Sequence, residues 1–236
     1  MTVATLSTAA MNTEIARFNM IEQQIRPWEV LDQAVLSLLS TVRREDFVPP
    51  ALRALAFVDT QVPLAHKGAA DEGACMLEPK VEARLLQELQ VQRHEKVLEI
   101  GTGSGFMAAL LAHRGQTVVT LECRPALAAM ARASLQRNGV ASATVLDVSA
   151  ADGARGLPAE APFDVILLSG SAAEVPAELL LQLKIGGRLA AVVGEEPIMQ
   201  ARLYTRAGEA AWAEADLFDT VAPRLEGFAE PTRFHF

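Results

Sequence analysis

The run Val97-Leu98-Glu99-Ile100-Gly101-Thr102-Gly103-Ser104-Gly105 leads an apolar strand into alternate glycines, a pattern suited to holding a ligand against backbone. Glycine lets the chain turn sharply and approach a ligand with no Cβ in the way. The spacing G-x-G-x-G is one residue short of the dinucleotide pattern G-x-G-x-x-G, whose longer loop sets a helix N-terminus on a pyrophosphate. The shorter turn fits a ligand with no phosphate to cradle. A carboxylate near the end of an apolar strand is costly unless paired. Glu99 therefore needs either an amino group on the ligand or the backbone N–H groups of the turn.

Glu122 ends the run Val118-Val119-Thr120-Leu121-Glu122. An acidic residue closing the second strand, about 20 residues past such a turn, can accept both ribose hydroxyls. It marks adenosine without saying which adenosine ligand. Asp152-Gly153 follows the third strand, where a carboxylate can accept the adenine amino group and glycine lets the chain pass close by. A plain Asp-Gly turn is the alternative. Cys75 has no histidine near it in sequence except His66 and reads as a small buried thiol. His94, His113 and His235 lack metal-ligand spacing, so no metal is expected. Trp28 and Trp212 read as core or interface anchors.

These residues need a scaffold, and the chain changes character near residue 95. Before it the pattern is helical. Met1 to Met11 reads as a frayed lead-in, and Asn12 can cap a helix through about Gln24 with Ile15, Phe18, Ile21 and Ile25 on one apolar face. A second helix is expected from Glu29 to Ser40, with Val30, Ala34, Val35, Leu38 and Leu39 inward. A short helix starts at Pro49-Pro50, a mobile loop spans Ala65 to Ala74 with Asp71 and Glu72, and a helix runs from Pro79 to about Gln90. After residue 95, strands are expected at Lys96–Ile100, Thr117–Glu122, Ala143–Val148, Asp164–Ser169 and Arg188–Val193, with helices between them, the last from Pro176 to Lys184. Ala201–Ala207 and Trp212–Val221 read as an antiparallel hairpin. Parallel strands with helical crossovers put ligands at their carboxyl ends.

The 236 residues suit one α/β domain with an added segment: 1–94 as a helical extension with an acceptor-side loop, and 95–236 as the ligand-binding core. Lys and Arg number 21 against 29 Asp and Glu, a net charge of −8 that argues against nucleic acid as a partner. No apolar run approaches the roughly 20 residues that span a bilayer, so no membrane role is expected. Met1 to Met11 lacks the basic start of a secretory signal. The 2 cysteines sit in unrelated contexts, which fits a reducing cytoplasm.

In this order the residues resemble the class I S-adenosylmethionine-dependent methyltransferases and, within them, the protein-L-isoaspartate O-methyltransferase family. Met20-Ile21-Glu22-Gln23-Gln24, Arg43-Arg44-Glu45-Asp46-Phe47-Val48-Pro49, Val97 through Gly105, Asp152-Gly153, Ala161-Pro162-Phe163-Asp164 and Leu183 through Leu189 carry the resemblance. It implies a Rossmann-like α/β fold with a mostly parallel seven-stranded sheet, and S-adenosylmethionine as cofactor. It also implies a site of Glu99, Gly101, Thr102, Gly103, Gly105, Glu122, Cys123, Asp152 and Gly153, with Cys123 on the adenine face and Glu99 toward the methionine amino group. The acceptor it implies is a carboxylate of a damaged protein or peptide.

The chain departs from that pattern where the family carries Thr-Ile-Ser-Gln-Pro. The matching stretch is Cys75-Met76-Leu77-Glu78-Pro79, so Leu77 replaces the active-site Ser and Glu78 the Gln. A carboxylate at position 78 repels an acceptor carboxylate unless it is protonated or turned away. The cofactor half of the site is expected intact and the acceptor half rewritten. Other readings are a different protein side chain or small-molecule acceptor, a cofactor-binding protein without catalysis and, more distantly, a nicotinamide dehydrogenase. Oligomeric state is not legible.

Overall fold

The computed structural model describes residues 2–65 and 73–230. Seven strands form one sheet: β1 (Lys96–Ile100), β2 (Thr117–Glu122), β3 (Ala143–Asp147), β4 (Phe163–Ala172), β5 (Leu183–Glu195), β6 (Ile198–Gly208) and β7 (Ala211–Asp219). Their order is β3-β2-β1-β4-β5-β6-β7. The pairs from β3 through β5 are parallel, and β5–β6 and β6–β7 are antiparallel. The chain winds outward from β1 to β3, then crosses back to β4 on the other side of β1. That crossover makes β1/β4 the switch point, where a crevice opens beyond the strand ends.

Residues alternate along the strands between two apolar clusters. Val97, Val118, Val165 and Val192 join one, with α4 (Phe106–Arg114) and α5 (Pro125–Arg137); Leu98, Leu121, Ile166 and Ala191 join the other, with Leu179 and Phe228. The first cluster also takes in the N-terminal part through Met20, Ile25, Phe47 and the inner face of α3 (Pro79–Leu89). α3 turns Val81, Glu82, Leu85, Leu86 and Leu89 inward, and so brings one acidic side chain into the interior.

Several local expectations are corrected. α1 (Thr2–Met20) begins well before Asn12, so the lead-in is helical, and it passes into a π-helical turn over Ile21–Ile25. Its inner face is Arg17, Met20, Ile21 and Ile25, while Ile15 and Phe18 are 52% and 62% exposed. Arg17 is drawn in by an ion pair with buried Glu45, which rotates the face away from the one that apolar spacing alone favours. α2 (Gln33–Thr41) starts late because Asp32 caps it, Oδ1 accepting from Ala34 N at 2.7 Å. Leu36 is accordingly inside and Ala34 outside.

The helix expected over Pro176–Lys184 is a single turn, α7 (Ala177–Leu180), because Leu183 already pairs with Phe163 in the sheet. Of the expected mobile loop, residues 66–72, with His66, Asp71 and Glu72, lie outside the described residues, as does His235. Its flanks meet, with Leu64 N donating to Ala74 O at 2.9 Å. Trp28 packs edge-on against Phe218 with ring centroids 5.4 Å apart, and Trp212 Nε1 donates to Leu180 O, so both act as packing anchors.

Candidate active site

The glycine turn leaves β1 with φ of +93° at Gly101 and +53° at Gly103, left-handed geometry that favours glycine. It forms one wall of a cleft of about 690 Å³, open mouth included, at the carboxyl ends of β1, β2 and β4. The C-terminal arm, Pro223 through Glu226, forms another wall. Ser171 N donates to Pro223 O at 2.8 Å and Leu225 N to Ser171 O at 2.9 Å, stitching the arm beside β4. Arg124 Nη2 ties it across the cleft to Glu226 Oε1 at 2.6 Å. A Cβ on Gly101 would stand 2.7 Å from Leu225 Cδ2, so any side chain there must displace the tip of Leu225.

Glu122 lines this cleft, buried, with Oε2 accepting from Gly103 N at 2.8 Å and Oε1 from Arg124 N at 3.0 Å. Each oxygen keeps a lone pair for a ribose hydroxyl. Cys123, Val148 and Gly153 line the same cleft. Asp152 does not. Its carboxylate accepts from Ser149 Oγ at 2.6 Å, at the capped start of α6 (Ala150–Ala154). Asp152-Gly153 is thus a helix start rather than a free turn. Gly105 does not line this cleft either; at φ +84°, a Cβ there would stand 3.2 Å from Ala131 Cβ, so this glycine serves the α4–α5 contact.

Beside the cleft lies a smaller inner chamber of about 370 Å³, open space included, and Cys75, Gly101, Gly103 and Ser169 border both spaces. Glu99 is fully buried in its wall, but not on the backbone N–H groups of the turn. Its Oε2 accepts from Thr120 Oγ1 at 2.7 Å and its Oε1 from Ser169 Oγ at 2.6 Å. Thr102 Oγ1 lies 2.6 Å from Thr120 Oγ1, and Thr102 lines the chamber rather than the outer cleft. Burial pushes the Glu99 carboxyl up to about 7, against the lowering pull of the two hydroxyls; Glu122 and Glu82 add to the rise.

Leu77 is buried and lines the chamber, with its carbonyl accepting from Arg44 Nη2 at 2.7 Å. Glu78 lines neither space, and one of its carboxylate oxygens is buried without a hydrogen-bond partner. Cys75 is a half-buried thiol beside Gln61, pushed up to about 12 by burial, then by Glu78 and Glu82, and is thus no thiolate nucleophile. Sequence reasoning missed Thr120 and Ser169, the arm at Leu225 and Glu226, and Glu82. The first two had a legible signal, since hydroxyls at the ends of strands flanking Glu99 are its natural partners.

Outer cleft, glycine turn and chamber together fit an adenosine ligand with a cationic, phosphate-free tail: ribose acceptors outside, a pass lined by glycine, and buried carboxylates within. On this fold, they define an S-adenosylmethionine-dependent methyltransferase. The model of the protein-L-isoaspartate(D-aspartate) O-methyltransferase family matches residues 16–220. A protein-L-isoaspartate O-methyltransferase of Methanoculleus marisnigri is 40% identical over 178 residues, 75% of this chain and 77% of that protein. One of Rhodopseudomonas palustris is 38% identical over 216 residues, 90% and 95% of the two chains. A solved protein-L-isoaspartate O-methyltransferase superposes with a TM-score of 0.73 at 20% identity, covering 91% of this chain and 66% of that one. A Plasmodium falciparum structure in complex with S-adenosyl-L-homocysteine gives 0.70 at 18% identity, covering 91% and 98%. The chain belongs to the protein-L-isoaspartate(D-aspartate) O-methyltransferase family.

Proposed function

We propose that the chain transfers a methyl group to a carboxylate of a damaged protein or peptide, the isoaspartyl class named in its relatives. The observation that carries this is the adjacency of the cleft lined by Glu122 and the chamber lined by Leu77, which share Gly101 and Gly103, within a chain of this family. When bound, S-adenosylmethionine supplies the electrophilic methyl group. Glu122 takes the ribose, Cys123, Val148 and Gly153 the adenine, and Glu99 the amino end of the tail. Asp152, engaged by Ser149, reaches adenine only through the lone pairs it has left.

An acceptor carboxylate is already ionised near neutral pH and needs no general base. The protein's task is alignment, which can contribute roughly 7–11 kcal/mol. Leu77 offers that carboxylate no hydroxyl, which supports a second reading in which another side chain or a small molecule is methylated. Glu78 lines neither space, but its charge acts on Cys75 and Glu82, which line the chamber. Incubation with labelled donor and an isoaspartyl peptide decides between them: base-labile methyl ester is expected, and transfer only to other acceptors overturns the first reading.

We read 1–236 as one methyltransferase domain, supported by the apolar cluster that runs from Met20 to Met199. No helix among the described residues is long and apolar enough to cross a membrane. With Cys75 and Cys123 both free, we assign the protein to the cytoplasm.

A further inference from the structure

The inner chamber is lined by a second buried acid that the glycine motif does not foretell. Glu82 projects from α3 and is 5% exposed. Its Oε2 accepts from Arg44 Nη1, whereas its Oε1 has no hydrogen-bond partner among the described residues. Glu99 lines the same chamber and is held only by the hydroxyls of Thr120 and Ser169. Arg44 lines neither space; its Nη2 donates to Leu77 O, and its buried Nε has no hydrogen-bond partner among the described residues. Among its described lining residues, the chamber thus presents two carboxylates and no cation. Buried carboxylates without a full set of partners are costly, and an arriving cation with several N–H donors relieves both at once.

We propose that Glu82 is a specificity-determining residue of the donor site, where it and Glu99 receive the ammonium group of the donor's amino-acid tail. The geometry follows from the order of the spaces. A ligand with its ribose on Glu122 can extend its tail past Gly101 and Gly103, which border both spaces, into the chamber that Glu99 on β1 and Glu82 on α3 both line. Ammonium carries three donors, enough for both carboxylates. The groups around Glu82 agree: Arg44 lowers its carboxyl, while burial, first, and Glu78 raise it, leaving it at about 7. Cys75 beside it stays a neutral thiol and does not compete. The inference rests on the placement of adenosine against Glu122 and goes beyond it by giving α3 a share in the choice of donor.

The test is calorimetry with S-adenosylhomocysteine and its deaminated analogue, which lacks only the ammonium. The wild type is expected to prefer the amino form, and E82Q to lose roughly tenfold or more of that preference while holding the analogue unchanged. The amide oxygen in E82Q still accepts from Arg44, so the fold is retained. Equal weakening of both ligands, or no change in preference, overturns the inference.

A second measurement needs no change at Glu82. In E99Q, binding of the amino form near neutral pH is expected to release a proton, read from binding heats in buffers of different ionisation enthalpy, and the analogue is expected to release none. Equal release with both ligands overturns it as well. If the wild type binds neither ligand, the adenosine placement itself fails, which is a different result.

Discussion

The backbone N–H of Gly103 donates to Oε2 of Glu122 at 2.8 Å, so the glycine turn and the end of β2 are joined through the residue proposed to hold the ribose. Glu122 also accepts from Arg124 N at 3.0 Å. Removing the carboxylate leaves two buried or half-buried donors without their acceptor, at about 1–3 kcal/mol. Glu122→Ala is therefore expected to lower the melting temperature and to weaken S-adenosylhomocysteine at least tenfold. Glu122→Gln keeps an acceptor for one of the two N–H groups and is expected to fall between. Calorimetry with a parallel melt checks both; an unchanged affinity in Glu122→Ala would remove Glu122 from the site.

The glycines of the turn separate by function. Gly101 lines the cleft and lies against Leu225, whereas Gly105 faces Ala131 on α5 and lines neither the cleft nor the chamber. Both have positive φ, so alanine costs on the order of 1–2 kcal/mol at either position. Gly101→Ala is expected to lose stability and cofactor affinity together, since its Cβ pushes Leu225 and the arm. Gly105→Ala is expected to lose stability with an affinity within about twofold of wild type. Equal loss of affinity in the two variants contradicts the division.

Much of this was legible in the sequence because it is local. Strand, turn and helix from Lys96 to Ala112 follow from apolar runs and glycine spacing, and Glu122 and Gly153 follow from their positions after strands. What escaped depends on partners far away in the chain. Leu225 and Glu226 meet Gly101 and Arg124 from over a hundred positions away. Glu82 reads as the polar residue of an amphipathic helix until Arg44 is known to face it. The misplaced face of α1 has the same origin, because a buried arginine in an ion pair breaks the rule that the apolar stripe marks the inside. The turn at Asp152 proved to be a helix start, because Ser149, three residues earlier, makes a helix cap that competes with a free turn.

Glu99 makes stability depend on pH in a direction opposite to an ion-paired carboxylate. Its folded value is raised to about 7 from an ordinary 4.5, chiefly by burial. Between those values the folded protein keeps a proton that the unfolded chain releases, so stability falls as pH rises through the window and levels off above it. Glu82 is raised to about 7 by burial as well and contributes with the same sign. The ligand-free wild type is therefore expected to melt at a lower temperature near pH 7.5 than near pH 5 in the part that Glu99→Gln removes. The difference between the two melting profiles isolates Glu99 from the surface carboxylates. A difference that stays flat across the window is inconsistent with a buried, protonated Glu99.

Leu77 is the position at which acceptor chemistry and stability can be played against each other. It is 4% exposed and borders the chamber, so Leu77→Ser removes buried methyl groups at about 2–5 kcal/mol. The new hydroxyl stands where the relatives' pattern carries one and can donate to an acceptor carboxylate, a hydrogen bond to a charged group of roughly 1.5–3 kcal/mol. The variant is expected to be less stable yet to raise kcat/KM on an isoaspartyl peptide by roughly tenfold, with S-adenosylhomocysteine affinity unchanged. Leu77→Ala, equally destabilised and without a hydroxyl, supplies the control. If both variants gain alike, the added space is responsible rather than the hydroxyl. If neither gains, the rewritten stretch from Cys75 to Glu78 does not limit carboxylate transfer, and the acceptor is of another kind.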